Sequence, residues 1–201
     1  MTKIKKAINR QLRVYRYVFY KETLIDFKEH FWSFLGSFIG IASIAFLSHY
    51  HFSGITPVFL IGSFGASAVL VYGAIQSPLA QPRNLVLGHV VSAIIGVSIA
   101  KLIPDVPWLA AALAVSLSIV GMQMARCLHP PGGATALIAV SGGTQITSLG
   151  YCYVLFPVLT GALLLLLIAL FFNNITKNRH YPVKRSRLRR SRRRELKKRF
   201  Q

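Results

Sequence analysis

The sequence predicts an all-α integral membrane protein, and two observations support this prediction. Apolar residues make up 53% of the 201-residue chain and charged residues only 14%, whereas an ordinary soluble domain has roughly 25% charged residues. The charge is also segregated, because 21 of the 24 lysines and arginines lie before Phe31 or after Thr176. The charged residues between those limits are Arg83, Lys101, Asp105 and Arg126. Four charges cannot cover the surface of a soluble domain of this size, so residues 31–176 are expected to lie in a membrane.

The first element is a basic segment, residues 1–30, that precedes the apolar part of the chain. Its eight lysines and arginines alternate with aromatic and aliphatic residues. This pattern is typical of an amphipathic helix that lies on an anionic lipid surface. The basic stretch continues to Lys28 and is followed by a long apolar run without a small-residue cleavage pattern, so we do not interpret it as a signal peptide.

Six apolar segments follow, separated by connections rich in glycine, proline and polar residues. The segments are 33–50, 57–75, 86–103, 107–125, 131–146 and 151–172. A crossing helix needs about 20 apolar residues, so this stretch has room for six short crossings or four comfortable ones. Both ends of the chain are basic and are therefore expected in the cytoplasm, which requires an even number of crossings. We expect six crossings; four would also satisfy the rule if the second and fifth segments are re-entrant.

The last element is a basic tail, residues 177–201, with thirteen basic groups and one acid. We interpret it as a cytoplasmic topology anchor that contacts anionic lipid. No aromatic residue lies between Pro182 and Phe200 to stack on bases, so no nucleic-acid partner is expected. The predicted organisation is therefore a basic segment at 1–30, a transmembrane domain at 31–176 and a basic cytoplasmic tail at 177–201.

The second and fifth segments resemble each other. Residues 65–70 (GASAVL) align without a gap on residues 133–138 (GATALI), at an offset of 68 positions. This similarity predicts two repeated units of three segments, and because three is odd, the second unit would be inverted in the membrane. Broken helices at 62–75 and 130–146 would then meet at the bilayer midplane, as at a transport site. The alternative is chance similarity between two small-residue packing faces.

The same two segments predict a site for a small anion. Because Pro130 and Pro131 disfavour helix ahead of them, we expect a helix that starts near Gly133 with free N–H groups at its positive end. Glycines allow a ligand to approach the backbone, and hydroxyls add donors. Two such helix ends would bind an anion; alternatively, the glycines only allow close helix packing. The predicted site residues in these segments are Ser63, Gly65, Ser67, Gly132, Gly133 and Thr135.

Four ionisable residues near these segments extend the predicted site, namely Arg83, His89, Arg126 and His129. An ionisable residue at the edge of a span marks a pathway by default, although both arginines also fit as interface anchors. A histidine near an anion can carry a proton with it, because the ordinary pKa of histidine is close to physiological pH. The alternative is that both histidines are packed and satisfied by hydrogen bonds.

An intramembrane enzyme is a less favoured hypothesis, and it would depend on Cys127 together with the two histidines. Cys127 follows Arg126 and could have a lowered pKa, but no acid lies nearby to orient a catalytic base. The sequence also lacks a metal-ligand set at useful spacing. We therefore expect no enzymatic activity, no metal and no cofactor. Lys101 and Asp105 are interpreted as an ion pair in an external loop.

Several runs of residues closely resemble the HPP family of integral membrane proteins. The most specific is Leu128 to Leu137 (LHPPGGATAL), and residues 61–70, residues 77–84 with Gly88 and His89, residues 155–158, Asn173-Asn174 and Tyr181-Pro182 also match. The resemblance covers residues 31–182. One departure is Gly132, where the family more often has alanine, and we expect this difference to be harmless.

The resemblance implies a compact helical membrane protein, and some members of the family are associated with nitrite passage. We therefore expect a transporter or channel for a small inorganic anion, nitrite by resemblance, in the cytoplasmic membrane. The residues alone do not separate nitrite from nitrate, formate or bicarbonate. Assembly into a homo-oligomer is plausible because small-residue helix faces are available. The alternative function is a non-transporting scaffold that presents its basic tail to lipid or nucleic acid.

Overall fold

The computed structural model describes residues 27–51, 61–176 and 179–183, except for the side chains of Tyr50 and His51. Within these ranges the chain forms helices and connecting turns without any strand, so the predicted all-α class is confirmed. The predicted amphipathic segment up to residue 26 and the basic tail from residue 184 lie outside the described residues, as do residues 52–60. The chain divides into two units. The first unit is residues 1–31, of which residues 27–31 are described and form the start of a helix. The second unit, residues 32–201, contains the elements discussed below.

Six apolar helices occur in the described ranges. They are α1 (Phe27–His51), α2 (Gly62–Ala68), α3 (Pro82–Leu102), α4 (Pro107–Met124), α5 (Pro130–Ser141) and α6 (Thr160–Phe172). Four stretches are long and apolar enough to cross a membrane, namely Phe27–His49, α3, α4 and Val154–Phe172. Helices α3, α4 and α5 each start with proline, whose fixed φ suits the first helical position and whose missing N–H costs nothing there.

The second and fifth predicted segments form short helices. Helix α2 continues into a π-helical turn at Val69–Gly73, and α5 has only 12 residues. Helix α5 begins at Pro130, with His129 as its N-cap, and not near Gly133 as expected. The prediction treated the two prolines as breakers, but they occupy the first two helical positions, where proline is tolerated.

The last span is broken near its start. It opens with a π-helical stretch at Val154–Leu159 and continues as α6. Phe156 has non-helical backbone angles (φ −140°, ψ 117°), because the residue before a proline is disfavoured in the α region and Pro157 follows. This break separates the turn at 148–151 and the short helical stretch after it from the regular helix α6.

Glycines allow the helices around α3 to approach closely. Helices α3, α4 and α5 pack on one another, and α2 packs against α5. A Cβ atom at Gly88 would lie 2.5 Å from Cβ of His129, and one at Gly96 would lie 2.7 Å from the backbone oxygen of Ala136. The α3–α5 interface therefore has no room for side chains at these two positions, which brings His89 of α3 close to His129 and α5.

Residues 179–183 pack on the helices, beyond the predicted domain boundary at 176. Arg179 is 1% exposed and donates hydrogen bonds to the Tyr72 carbonyl at 2.6 Å and to Asn173 Oδ1 at 2.9 Å. The Tyr181 hydroxyl donates to the Ala80 carbonyl at 2.7 Å. Arg179 thus lies near two helix carboxyl ends. One is the π-helical turn that follows α2, and the other is the end of α6; at both, the helix dipole favours a cation.

The order of long and short helices repeats along the chain. A long helix, a short helix and a long helix (α1, α2 and α3) are followed by a second such set (α4, α5 and the final span). This order agrees with the two units of three segments deduced from the offset of 68. The number of full crossings and the inversion of the second unit remain predictions.

Candidate functional site

Five polar side chains from α2, α3 and the start of α5 form one buried chain of hydrogen bonds, which we call the histidine–hydroxyl chain. It consists of Ser63, Ser67, His89, His129 and Thr135, and each of these residues is 0% exposed. Ser67 Oγ lies 2.7 Å from His89 Nε2 and 2.9 Å from His129 Nε2. His89 Nδ1 lies 2.7 Å from Thr135 Oγ1, which is 2.9 Å from Ser63 Oγ. A short path of polar atoms therefore connects both short helices through α3.

The carbonyl of Leu79 sets the direction of this chain. It lies 2.9 Å from His129 Nδ1, and because a carbonyl only accepts, Nδ1 must carry a proton. With one proton on each imidazole, His129 Nε2 accepts from the hydroxyl of Ser67, and Ser67 Oγ accepts from Nε2–H of His89. His89 Nδ1 then accepts from the hydroxyl of Thr135, and Ser63 donates to Thr135; when Thr135 instead donates to Ser63 Oγ, His89 Nδ1 must carry a proton. When Thr135 donates to His89, each ring nitrogen that carries a proton faces an acceptor, and each ring nitrogen without a proton faces a donor.

The two hydroxyls that contact His89 occupy matching positions in the two similar Gly-rich segments. Ser67 and Thr135 are 68 positions apart, which is the offset that relates the two Gly-rich segments. One hydroxyl lies 2.7 Å from Nε2 of His89 and the other 2.7 Å from Nδ1. The similar segments thus place equivalent groups on opposite edges of one imidazole ring.

The loop that presents the Leu79 carbonyl is held by several contacts. Gln81 Nε2 donates to the carbonyls of Ile75 and Ser77, at 3.1 and 2.7 Å. Gln81 Oε1 accepts from the backbone N–H of Val183 at 2.8 Å. Residues 77–84 (SPLAQPRN) were noted in the sequence as a family-like run. Their structural effect is to fix the acceptor at one end of the histidine–hydroxyl chain.

Aromatic rings surround the histidines. The ring of Phe64 packs edge-to-face on His89 with centroids 5.4 Å apart, and the rings of His89 and His129 lie 5.0 Å apart. Tyr153, which is also fully buried, donates to the backbone carbonyl of Thr135 at 3.2 Å. The contacts of Phe64 and His129 with the His89 ring restrict its orientation, and Tyr153 fixes the backbone of Thr135.

The structure does not bring the two predicted arginines to this chain. Arg83 and Arg126 are exposed, and Arg83 donates to the carbonyl of Ala125 at 2.9 Å. Arg83 is six residues before His89 on α3, which is roughly 9 Å along the helix axis. Arg126 has a positive φ of 52° in the turn after α4. The two arginines therefore lie near one end of the bundle and away from the hydroxyls.

The first three residues of α5 offer no free backbone N–H. Pro130 and Pro131 have no N–H, and the Gly132 N–H donates to the carbonyl of His129 at 2.8 Å. Helix α2, the other predicted donor, has only seven residues, and its Gly65 is exposed beside an apolar groove of about 700 Å³ lined by Phe34 and Phe38 of α1. The polar donors that converge are therefore side chains and not helix amides.

Gly132 is closely packed in this chain, so the glycine fits a contact that a larger side chain would disturb. A Cβ at Gly132 would lie 2.7 Å from Ser92 Oγ, 2.9 Å from the carbonyl oxygen of Gly88 and 2.9 Å from Met122 Sδ. Since one of these atoms belongs to the backbone, an alanine would force α3 and α5 apart. At Gly133, in contrast, the nearest atom to a Cβ would be 3.8 Å away, so that position has room.

The cysteine that an enzyme hypothesis would need is poorly placed for nucleophilic chemistry. Cys127 is 0% exposed, and burial raises the pKa of its thiol, although the guanidinium of Arg83 acts in the opposite direction. The expectation of a lowered pKa beside Arg126 was therefore wrong, because burial outweighs the nearby charge. No group of three metal-ligating side chains occurs among the described residues.

Two fully buried residues with long-range hydrogen bonds were not singled out from the sequence. Arg179 had been counted with the basic tail, and Tyr153 had been treated as part of an apolar segment. The resemblance of Tyr181-Pro182 to the family pattern was a signal that the folded domain extends past residue 176. Tyr153 had no comparable signal, because a tyrosine in an apolar run is ordinary.

Comparisons with known proteins agree with this architecture. The profile of the HPP transmembrane region matches residues 22–182. Two curated transmembrane proteins of Dictyostelium discoideum are similar over 161 residues, with 50% and 46% identity. Each match covers 79% of this chain but only 51% and 56% of the relatives, so the chain spans about half the length of the curated relatives it matches. No solved structure matches the chain significantly.

Proposed function

The chain belongs to the HPP transmembrane family, and on that premise we propose that it transports a small inorganic anion through the region of the histidine–hydroxyl chain. The observation that carries this proposal is the joining of Ser63, Ser67, His89, His129 and Thr135 in one buried network. Polar and ionisable groups inside a membrane protein are costly, and where they occur they usually mark a pathway. The network also lies where the two similar short helices meet α3.

The composition of the network favours an anion over a cation. It consists of hydroxyl and imidazole groups, which can exchange their hydrogen bonds to one another for bonds donated to a negatively charged oxygen. The sequence contains a single acid, Asp105, between residues 30 and 194, and Asp105 belongs to the connection between α3 and α4. A cation bound at the network would therefore lack the carboxylate that usually balances it, whereas an anion could accept hydrogen bonds that these hydroxyl and imidazole groups now make to one another.

The network can also take up a proton without movement of heavy atoms. When Nδ1 of His89 is protonated, it donates to Thr135 Oγ1 across the existing 2.7 Å contact. The hydroxyl of Thr135 then turns to Ser63 Oγ, which is 2.9 Å away. The added positive charge would pair with the bound anion, so we propose that anion and proton move together. This coupling is the role proposed for His89 and His129.

The two exposed arginines keep a separate role in the proposal. Arg83 and Arg126 lie near one end of the bundle, which is cytoplasmic in the predicted topology. Clustered positive charge raises the local concentration of a small anion. We propose that they attract the anion to this face. The histidines then select for an anion that moves together with a proton. Nitrite is the first candidate because of the family resemblance, and nitrate, formate and bicarbonate have related chemistry.

The proposal is tested by flux measurements on purified protein in liposomes. Nitrite, nitrate, formate and chloride are compared with and without a pH gradient. We expect saturable flux of a monovalent anion that is accelerated by an inward proton gradient. His89→Gln and His129→Gln should abolish the acceleration, and His49→Gln, which alters an exposed histidine on α1, serves as the matched control. Absence of flux of every anion from folded protein would refute the proposal.

A further inference from the structure

We propose that a cavity beside Lys101 is a vestibule where the transported anion first binds on the face of the protein opposite Arg83 and Arg126. This inference rests on the proposed transport function and adds a second site to it. The cavity lies between the end of α3, the start of α4, the end of α5 and the turn that follows. The residues that define it best are Val97, Lys101, Pro104, Ala139, Ile146 and Thr147.

The size of the cavity suits a small anion. Its volume is about 250 Å³, and one water molecule occupies roughly 30 Å³ in the liquid. A triatomic or tetra-atomic anion with a few waters fits this space. Drug-sized organic ligands generally occupy pockets of roughly 300–1,000 Å³, so the volume selects against them. The apolar residues Val97, Ala139 and Ile146 form much of the wall, and Lys101 supplies the charge.

Among the described residues, Lys101 is the one charged residue that lines the cavity. The predicted ion pair with Asp105 is not formed: the ammonium of Lys101 lies over the ring of Tyr151, 5.8 Å from its centroid. The hydroxyl of Tyr151 is in turn 2.9 Å from Ser98 Oγ, one turn earlier on α3. The ammonium group is therefore held beside the cavity without a carboxylate that would neutralise it.

The turn at Gly150 permits this placement of the lysine. Gly150 has a positive φ of 51°, a conformation that favours glycine. A Cβ at this position would lie 3.4 Å from Cε and 3.5 Å from Nζ of Lys101. The backbone of the turn after α5, which also lines the cavity, thus packs directly beside the ammonium group of the exposed Lys101.

One wall of the cavity lies about one helical turn from the histidine–hydroxyl chain. Ala139 lines the cavity and is four residues, roughly 6 Å along the helix axis, after Thr135 on α5. Between Thr135 and Ala139, Gly96 of α3 packs against the backbone of Ala136. A Cβ atom added at Gly96 would lie only 2.7 Å from the carbonyl oxygen of Ala136. This close contact separates the cavity from the network. The cavity therefore has the geometry of an outer vestibule in a closed state.

The test compares Lys101→Gln with Lys101→Arg in the liposome flux assay. We expect Lys101→Gln to raise the half-saturating anion concentration roughly three- to tenfold, the effect of one nearby charge in a partly solvated site. The maximal rate should change less than twofold, and Lys101→Arg should retain the wild-type value. High ionic strength should reduce the difference, because salt screens an exposed charge.

Two outcomes separate this inference from the proposed function. If wild-type protein carries an anion and Lys101→Gln has the same half-saturating concentration as wild type, the vestibule is refuted and the transport proposal stands. If wild-type protein carries no anion, the proposed function itself fails. Size-exclusion profiles of both variants are measured first; if the glutamine variant folds poorly, the wild-type protein itself is the test, because a vestibule at Lys101 predicts that high ionic strength raises its half-saturating anion concentration and an unchanged value refutes it.

Discussion

Ser67 is the central member of the histidine–hydroxyl chain, and its replacement by alanine gives a prediction with a definite magnitude. The hydroxyl contacts His89 Nε2 at 2.7 Å and His129 Nε2 at 2.9 Å. Hydrogen bonds between side chains in membrane proteins contribute about 0.6 kcal/mol on average and up to about 1.7 kcal/mol. Loss of both bonds, with no water to replace them, should lower the free energy of unfolding by about 1–3 kcal/mol.

The matched control is Ser118→Ala on α4. Ser118 is also 0% exposed, but its hydroxyl makes one local bond, to the carbonyl of Val115 at 2.8 Å. The two substitutions remove the same atom from equally buried positions, so the volume effect cancels. Reversible unfolding in mixed detergent micelles, followed by circular dichroism, measures both. Equal destabilisation by Ser67→Ala and Ser118→Ala would refute the view that Ser67 joins the two histidines.

A double-mutant cycle extends this test to the whole chain. Ser67→Ala and Thr135→Val remove partners from opposite edges of the His89 ring. If the hydrogen bonds act as one network, the two changes should couple by more than about 0.5 kcal/mol. Additive effects would instead mean that the two hydroxyls stabilise the fold independently.

Three further predictions concern packing, reactivity and the buried cation. Gly132→Ala should destabilise the fold by about 1–3 kcal/mol through overpacking, whereas Gly133→Ala should be nearly neutral; equal midpoints of unfolding would contradict the close α3–α5 packing. Maleimide should modify the exposed Cys152 much faster than the buried Cys127 at neutral pH, because burial limits access to Cys127 and raises the pKa of its thiol; similar rates by mass spectrometry would disprove this. Arg179→Gln should cost at least about 2 kcal/mol, since hydrogen bonds from a charged donor are lost in the interior, and unchanged thermal stability would show that the contacts of Arg179 contribute little.

The class of fold and the central residues could be predicted from the sequence for simple physical reasons. Segregated charge and long apolar runs identify a membrane domain without any knowledge of contacts. Hydroxyls and histidines inside apolar segments need partners, so Ser67, His89, His129 and Thr135 were natural candidates. The offset of 68 between the two Gly-rich segments related Ser67 to Thr135 before their common contact with His89 was known.

The chemistry of the site was harder to predict. The sequence suggested that helix amides at Gly132 and Gly133 would bind an anion, but proline at the first two positions of α5 removes donors that a generic helix end would offer. Sequence distance also could not show that Arg83 and Arg126 remain at the surface. Their positions depend on where α3 begins and α4 ends, and boundaries of this kind are the least certain part of a sequence-based prediction.

Long-range packing explains the remaining differences. The burial of Arg179 requires the chain after α6 to return to the carboxyl end of α2, more than 100 residues away. Tyr181 makes a similar contact with Ala80. A basic residue that follows an apolar helix is usually a surface anchor, and only the complete set of partners in the fold shows that Arg179 is not.

The central claim is that an anion and a proton move together through the histidine–hydroxyl chain. The most direct measurement is the number of protons taken up per anion in liposomes, recorded with an internal pH dye during nitrite and formate influx. The account predicts about one proton per anion for the wild-type protein and loss of this coupling in His89→Gln, with His49→Gln unchanged. Anion influx without proton uptake in the wild-type protein, or intact coupling in His89→Gln, would contradict it.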